Sequence, residues 1–275
     1  MSRLDRLYPY GIDYCHPRER GNRGGAGAGR GAGRGAGGGG GPPGAPPPRA
    51  GVRWALAAGA WEPGGEEWAF LLALLPEEEA EAVQKFRREE DRKRALGSRV
   101  MQRACIEREC GVPWREAEIA RTKGRKPFLK APARPRDPAL PNFNFNVSHE
   151  GDYVVLASEP VCVAGVDVAA PGHVRARSGG GAMGLVELRD TFGGQFTAGE
   201  WRAIASAGGD EQARSAFQRH WSCKEAFVKA RGDGLGFKLQ RCEFSFEGGP
   251  DAYVAHVHVD GRRAIHREPI YIVDH

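Results

Sequence analysis

Long apolar runs are missing from this 275-residue chain, so no segment qualifies as a membrane-spanning helix. The opening "MSRLDRLYPYGIDYCHPRER" lacks the uninterrupted apolar stretch that a secretory leader needs. Serine is scarce in the arm, and acids come early (Asp5, Asp13, Glu19), which counts against a transit peptide despite the arginines. Cytoplasmic residence is the expectation, with a mitochondrion or plastid as the alternative. Paired cysteines are missing too. Cys15, Cys105, Cys110, Cys162, Cys223 and Cys242 form no CxxC pair and no regular framework, which leaves reduced thiols as the reading. A metal centre of nitrogen donors is disfavoured as well, because His256 and His258 share a strand face with no nearby Cys.

Glycine is in excess, and much of it is crowded into "GNRGGAGAGRGAGRGAGGGGGPPGAPPPRAG" (21–51). Such a segment offers almost no apolar surface against its chain entropy, so residues 1–50 read as a disordered arm. The net charge of +5 fits an anionic partner: nucleic acid, a phosphorylated ligand or an acidic protein. Against nucleic acid, the Gly-rich stretch has no aromatic side chain to stack on bases.

Order is expected from residue 51. "GVRWALAAGAW" (51–61) reads as a strand, and Pro76, at a plausible first helical position before Glu77, Glu78 and Glu79, opens a helix. A longer helix over 88–110 carries the stripe Leu96, Val100, Met101, Ala104 and Cys105, and Gly111 ends it. After a basic turn (121–129) and a Pro-rich linker (131–141), Phe143, Phe145 and Val147 alternate with Asn144, Asn146 and Ser148. That is the period of a half-buried strand. "DYVVLA" and "VCVAGVDV" follow as two further strands, and a glycine patch (177–184) as a loop. Thr197 and Glu200 in "TAGEW" have capping-box spacing. A helix through "WSCKEAFVKAR" and the strands "RCEFSFEG" and "YVAHVHVDG" complete the order. In the last strand Tyr253, Ala255, Val257 and Val259 face inward. The fold class is α+β, in two halves of comparable plan (51–158 and 159–275).

Three groups carry candidate chemistry. Asp167, at the end of "VCVAGVDVA", lies among apolar residues, where an ionised carboxylate needs a cation or donors unless it simply caps a turn. Glu225 and Lys229 share a helix face at i, i+4. As an exposed pair they are worth only about 0.3–0.5 kcal/mol. Asp167 and Glu225 together form the hard oxygen donor set that Mg²⁺ uses beside waters and phosphates. The basic turn Arg121, Lys123, Arg125, Lys126 reads on its own first as a solvated loop, next as a phosphate cradle and last as a nucleic-acid patch. Ser148 and His149 are neighbours on a strand and point to opposite faces, so they form no nucleophile–base pair.

Taken in order, "GVRWALAAGAW", "PWREAEIARTKGRKPFL", "NFNFNVSHEGDYVVLASEP", "GVDV", "FTAGEW" and "WSCKEAFVKARGDGLGFKLQRCEF" resemble the 4′-phosphopantetheinyl transferases. The likeness is to the larger monomeric kind typified by the eukaryotic aminoadipate-semialdehyde dehydrogenase phosphopantetheinyl transferase, and it covers roughly 51–247. The resemblance implies that family's fold, two similar α+β halves about a pseudo-two-fold. It implies transfer of the 4′-phosphopantetheine arm of coenzyme A to a serine of an apo acyl carrier protein or carrier domain, with Mg²⁺ as cofactor. It places Asp167 and Glu225 as metal ligands, Glu225 also as proton acceptor, and Lys229 as a phosphate contact. Arg121, Lys123, Arg125 and Lys126 fall in the coenzyme A loop, and Asn146, Ser148 and His149 in the segment lining the nucleotide. A monomer without membrane or nucleic-acid partner is implied. Three departures stand out. Ala169 replaces a second acid found in bacterial members, the 177–184 glycine patch replaces a better-structured segment, and a last apolar strand is expected to be cut short at "YIVDH".

Overall fold

The computed structural model describes residues 51–132, 140–170, 182–232, 234–249 and 252–263. The expected arm, most of the glycine patch and the chain after 263 lie outside the described residues. In chain order, β1 (Arg53–Ala57) is followed by helices α1 (Gly65–Ala73), α2 (Glu77–Gln84) and α3 (Glu89–Cys110). A hairpin of β2 (Glu118–Arg121) and β3 (Pro127–Ala131) precedes strands β4 (Asn144–Glu150) and β5 (Tyr153–Glu159). Then come α4 (Leu185–Phe192), α5 (Ala198–Ala205), α6 (Asp210–Arg231), β6 (Cys242–Gly249), β7 (Ala252–Val259) and β8 (Arg262–Arg263). Helices beside antiparallel sheets make the protein α+β.

Period-two patterning builds the first layer. Phe145, Val154 and Leu156 point to one face of the antiparallel sheet β1-β5-β4 and meet Met101, Cys105 and Ile106 of α3. Helix and sheet approach closely at Gly97, where a Cβ would stand 2.5 Å from Leu56 Cδ2. Gly111 ends α3 in the left-handed conformation (φ 65°), which a residue without a Cβ adopts freely. The sequence places this helix to within one residue. It understates its burial: Lys93, Gln102, Arg103 and Glu109 on the polar side are buried as well.

The second layer is built on α6. Phe217 and Trp221 of this helix join Phe196 and Trp201 in an aromatic cluster, with ring centroids 5.1–6.3 Å apart. Its far side rests on the β6–β7 hairpin, where Ala255 and Val257 are buried and His256 and His258 are partly exposed, in the phase expected of that strand. The side chain of Tyr253 lies outside the described residues. The Thr197–Glu200 capping box forms in full at the start of α5.

Four expectations change. Strand β1 is only Arg53–Ala57 rather than 51–61. Pro76 caps α2 from one position before its first turn. Helices α1 and α4 add to the expected order. The "VCVAGVDV" segment forms no strand, for a reason that also positions the site.

Candidate active site

The polar face of β4 acts as a template. Ala164 N donates to Asn144 Oδ1 (2.7 Å), Val166 N to Asn146 Oδ1 (3.0 Å), Val168 N to Ser148 Oγ (3.4 Å) and Ala170 N to Glu150 Oε2 (2.6 Å). Every second amide of 164–170 is thus held by the side chain twenty residues earlier. The segment runs extended along β4 without a backbone ladder. Its amides are satisfied by side chains, which is why a segment with strand-like composition is not a strand. Asp167 lies within this extended segment, and its position is set by it.

Asp167 meets Ser148 and Lys229 in a closed triangle. Lys229 Nζ donates to Asp167 Oδ1 (2.5 Å) and Ser148 Oγ (2.9 Å), and Ser148 Oγ donates to Asp167 Oδ1 (3.1 Å). The Asp167 side chain is only 8% exposed, so its charge requires this cation. The flanking Val166 and Val168 are half-buried, less enclosed than their composition suggests. Glu225 sits one turn before Lys229 on α6 and is half-buried. Burial first, and the neighbouring Asp167 carboxylate second, raise its pKa above the ordinary 4.5, with Lys229 opposing. The i, i+4 partner suggested by spacing therefore turns to Asp167, and Glu225 is left as a second carboxylate facing the same charge.

The basic turn lies against the end of this helix. Thr122 N donates to Lys126 O, and Arg125 N to Thr122 O, closing the β2–β3 hairpin; Arg125 adopts φ 67°. Gly124 fits so closely that a Cβ there would stand 1.9 Å from Gly232 O. Arg121, Lys123 and Arg125 are exposed. Arg121 has its pKa lowered by partial burial and then by Arg125.

Lys126 is placed differently from its three neighbours. Its Nζ donates to Ala164 O (2.8 Å), Asn144 Oδ1 (3.0 Å) and Ala230 O (3.0 Å), and burial pulls its pKa down to about 8. An ammonium has three N–H donors, and all three are engaged here. Asn146 is likewise committed to Val166 N and 2% exposed, and Ser148 is buried in the triangle. Of the residues expected beside a nucleotide, His149 is the exposed one. Partial burial of its ring, then Arg94, Lys229 and Arg99, lowers its pKa. Ser148 and His149 point to opposite faces, as strand geometry requires.

Two features lay beyond sequence reasoning. Asn144 joins the template, the basic turn and the 160s segment, donating to Asn142 O (2.9 Å) and Cys162 O (2.6 Å). Lys224 and Glu200 form a fully buried pair at 2.8 Å beneath the site helix. The alternation of β4 and the Thr197–Glu200 spacing were the available signals, but neither names a distant partner. Among the described residues no three His, Cys, Asp or Glu side chains cluster as metal ligands. Two carboxylates nevertheless suit Mg²⁺, which keeps several waters and takes substrate phosphate oxygens. The donor set fits that ion.

Comparison with known proteins accords with this geometry. Family models described as "4′-phosphopantetheinyl transferase, N-terminal" and "4′-phosphopantetheinyl transferase superfamily" match residues 59–161 and 164–271. A Thraustochytrium protein described as "Phosphopantetheinyl transferase" is 39% identical over 221 residues, covering 78% of this chain and 72% of its own. The chain belongs to the 4′-phosphopantetheinyl transferase superfamily. Mouse and human members, each described as "L-aminoadipate-semialdehyde dehydrogenase-phosphopantetheinyl transferase", are 39% and 38% identical over 194 residues. Those matches cover 70% of this phosphopantetheinyl transferase-family chain and 60% of the relatives' length.

Proposed function

We infer that this protein transfers the 4′-phosphopantetheine arm of coenzyme A to a serine of an apo carrier protein, releasing adenosine 3′,5′-bisphosphate. The observation that carries this reading is the meeting of Asp167, Ser148 and Lys229, with Glu225 one turn away, beside an exposed basic turn. Asp167 and Glu225 would hold Mg²⁺, which when bound supplies Lewis-acid stabilisation of charge on phosphate oxygens.

The chain's own groups have separable roles in this reading. Arg121, Lys123 and Arg125 hold the phosphates of coenzyme A, as exposed cations on one tight turn. Lys229 carries positive charge to the phosphate under attack, where preorganised charge lowers the barrier most. His149, kept neutral, serves as a hydrogen-bond donor on the nucleotide side. The carrier serine oxygen bonds to the phosphorus bearing the pantetheine arm as the bond to the adenosine bisphosphate oxygen breaks. The serine proton passes to Glu225, directly or through a water. We assign the acyl carrier protein as the first carrier to try, the holo-[acyl-carrier-protein] synthase reaction. An aminoadipate carrier domain is the second, by analogy with the names of the mouse and human relatives.

The test is transfer of a fluorescent coenzyme A arm to a panel of apo carriers, with Mg²⁺ or with chelator. Labelling of a carrier serine that chelator abolishes is expected. No labelling of any carrier by the folded, Mg²⁺-supplied protein sinks the reading.

A further inference from the structure

We propose that Lys126 is a positioning residue: a strut that fixes the C-terminal turn of α6 against the segment carrying Asp167, rather than a ligand of the coenzyme A phosphates. The proposal rests on the transferase reading for its rate measurements only.

Three elements distant in sequence converge on one ammonium. Asn144 belongs to β4, Ala164 begins the templated segment, and Ala230 lies in the last turn of α6. The Ala230 carbonyl is among those a helix leaves without an internal partner, and it carries the negative end of the helix dipole. A cation from another element satisfies it. Asn144 Oδ1 is shared between Lys126 Nζ and Ala164 N, so the strut and the template form one network. Neighbouring backbone leaves no slack. A Cβ on Gly165 would stand 2.0 Å from Ala226 O, and one on Gly124 would stand 1.9 Å from Gly232 O. Lys229 and Asp167 flank this junction, one residue before Ala230 and three after Ala164. Loss of the strut therefore changes their separation.

The chemistry of the ammonium separates the strut from a phosphate ligand. A phosphate tolerates any nearby cation. Three acceptors converging on one tetrahedral nitrogen do not admit a planar guanidinium in the same volume.

The test compares Lys126→Met and Lys126→Arg in the full chain, with Lys85→Arg, on an exposed side chain outside the site, as the control. Both Lys126 variants are expected to lower Tm and to lower kcat at saturating coenzyme A by roughly tenfold to a hundredfold, the scale of an ångström's misplacement. Lys85→Arg is expected to stay near wild type. Retention of wild-type kcat and Tm by Lys126→Arg, with weakened coenzyme A binding in Lys126→Met, overturns the strut in favour of a phosphate ligand. A second arm needs no activity. The Tm losses of Lys126→Met and Asn144→Ala, combined in the double variant, should fall short of their sum, because both break one network. Simple additivity overturns the proposal. A wild-type protein that transfers no arm would remove the transferase reading while this arm still decides the strut.

Discussion

Lys229 donates to Asp167 across 62 positions of sequence, at 2.5 Å, with Ser148 bridging both. The contact draws the site helix onto the templated segment. Asp167→Asn keeps the volume and removes the charge, leaving a partly buried ammonium with a neutral partner. A stability loss of about 1–3 kcal/mol is expected in urea titrations. Arm transfer should fall by about 10²–10³, the cost of a lost electrostatic group in such a site. Asp167→Asn with Lys229→Met should recover part of the stability and none of the transfer. Transfer near the wild-type rate in Asp167→Asn would remove Asp167 from the site.

Glu225 makes a pH-dependent prediction. Its folded pKa lies above the unfolded 4.5, because burial and then Asp167 disfavour the carboxylate. Between the unfolded value and the raised folded value, the native state holds the proton that the unfolded chain has released. Stability therefore falls as pH rises through that window, and stays reduced above it. Glu225→Gln has no such loss. Its stability relative to wild type, measured by urea unfolding with EDTA present, should grow as pH is raised from about 4.5 and then level off. A difference that stays flat, or shrinks as pH rises, contradicts the raised pKa.

How far these relations were legible depends on whether the cause was local. Helix α3 and its stop at Gly111, the alternation of β4 and the Thr197–Glu200 box are set by neighbours within a few residues, so pattern reveals them. Helix α1 leaves no periodic signal because "WAFLLALL" is apolar without a clear polar face. The 161–170 segment is not legible as a non-strand, because β-forming composition says nothing about where the amides bond. They bond to side chains of Asn144, Asn146, Ser148 and Glu150. Likewise Glu225 and Lys229 were visible as helix neighbours. That Lys229 turns to Asp167 depends on tertiary packing, which spacing alone does not encode.

Gly165 tests how tightly the templated segment is held. A methyl group there would meet Ala226 O at 2.0 Å and Ala230 Cβ at 2.7 Å, both on α6. Backbone is the obstacle, so the segment and helix must separate. Gly165→Ala is expected to lose about 1–3 kcal/mol, as overpacked sites do. Gly65→Ala is the control: nothing lies within 4 Å of its Cβ position, and it opens α1. That change should be neutral or stabilising by up to about 1 kcal/mol. Comparable losses from both variants in thermal unfolding would show that close approach at 165 is unimportant.

Beneath the site, Lys224 and Glu200 have fully buried side chains and meet at 2.8 Å. The pair is complete in its hydrogen bonds. Lys224 Nζ also donates to Leu239 O (2.8 Å) and Cys242 O (2.5 Å). Glu200 accepts from Thr197 N and Phe244 N, each at 2.9 Å. One network therefore ties α5, α6 and β6 together one residue before Glu225. Successive helix positions are turned by about 100°, so the anchor and Glu225 point in different directions. Lys224→Met leaves the Glu200 charge buried without its cation and two carbonyls without a donor. A loss of about 3–5 kcal/mol is expected, enough to unfold a marginal domain. Replacing both partners, as Glu200→Gln with Lys224→Met, removes the stranded charge and should cost less than Lys224→Met alone. Urea unfolding of the three proteins decides it. A double variant less stable than Lys224→Met would show that the Glu200 carboxylate is not stranded, its bonds from Thr197 N and Phe244 N outweighing the cost of the unpaired charge. A more stable one shows that the stranded carboxylate accounts for much of the loss in Lys224→Met.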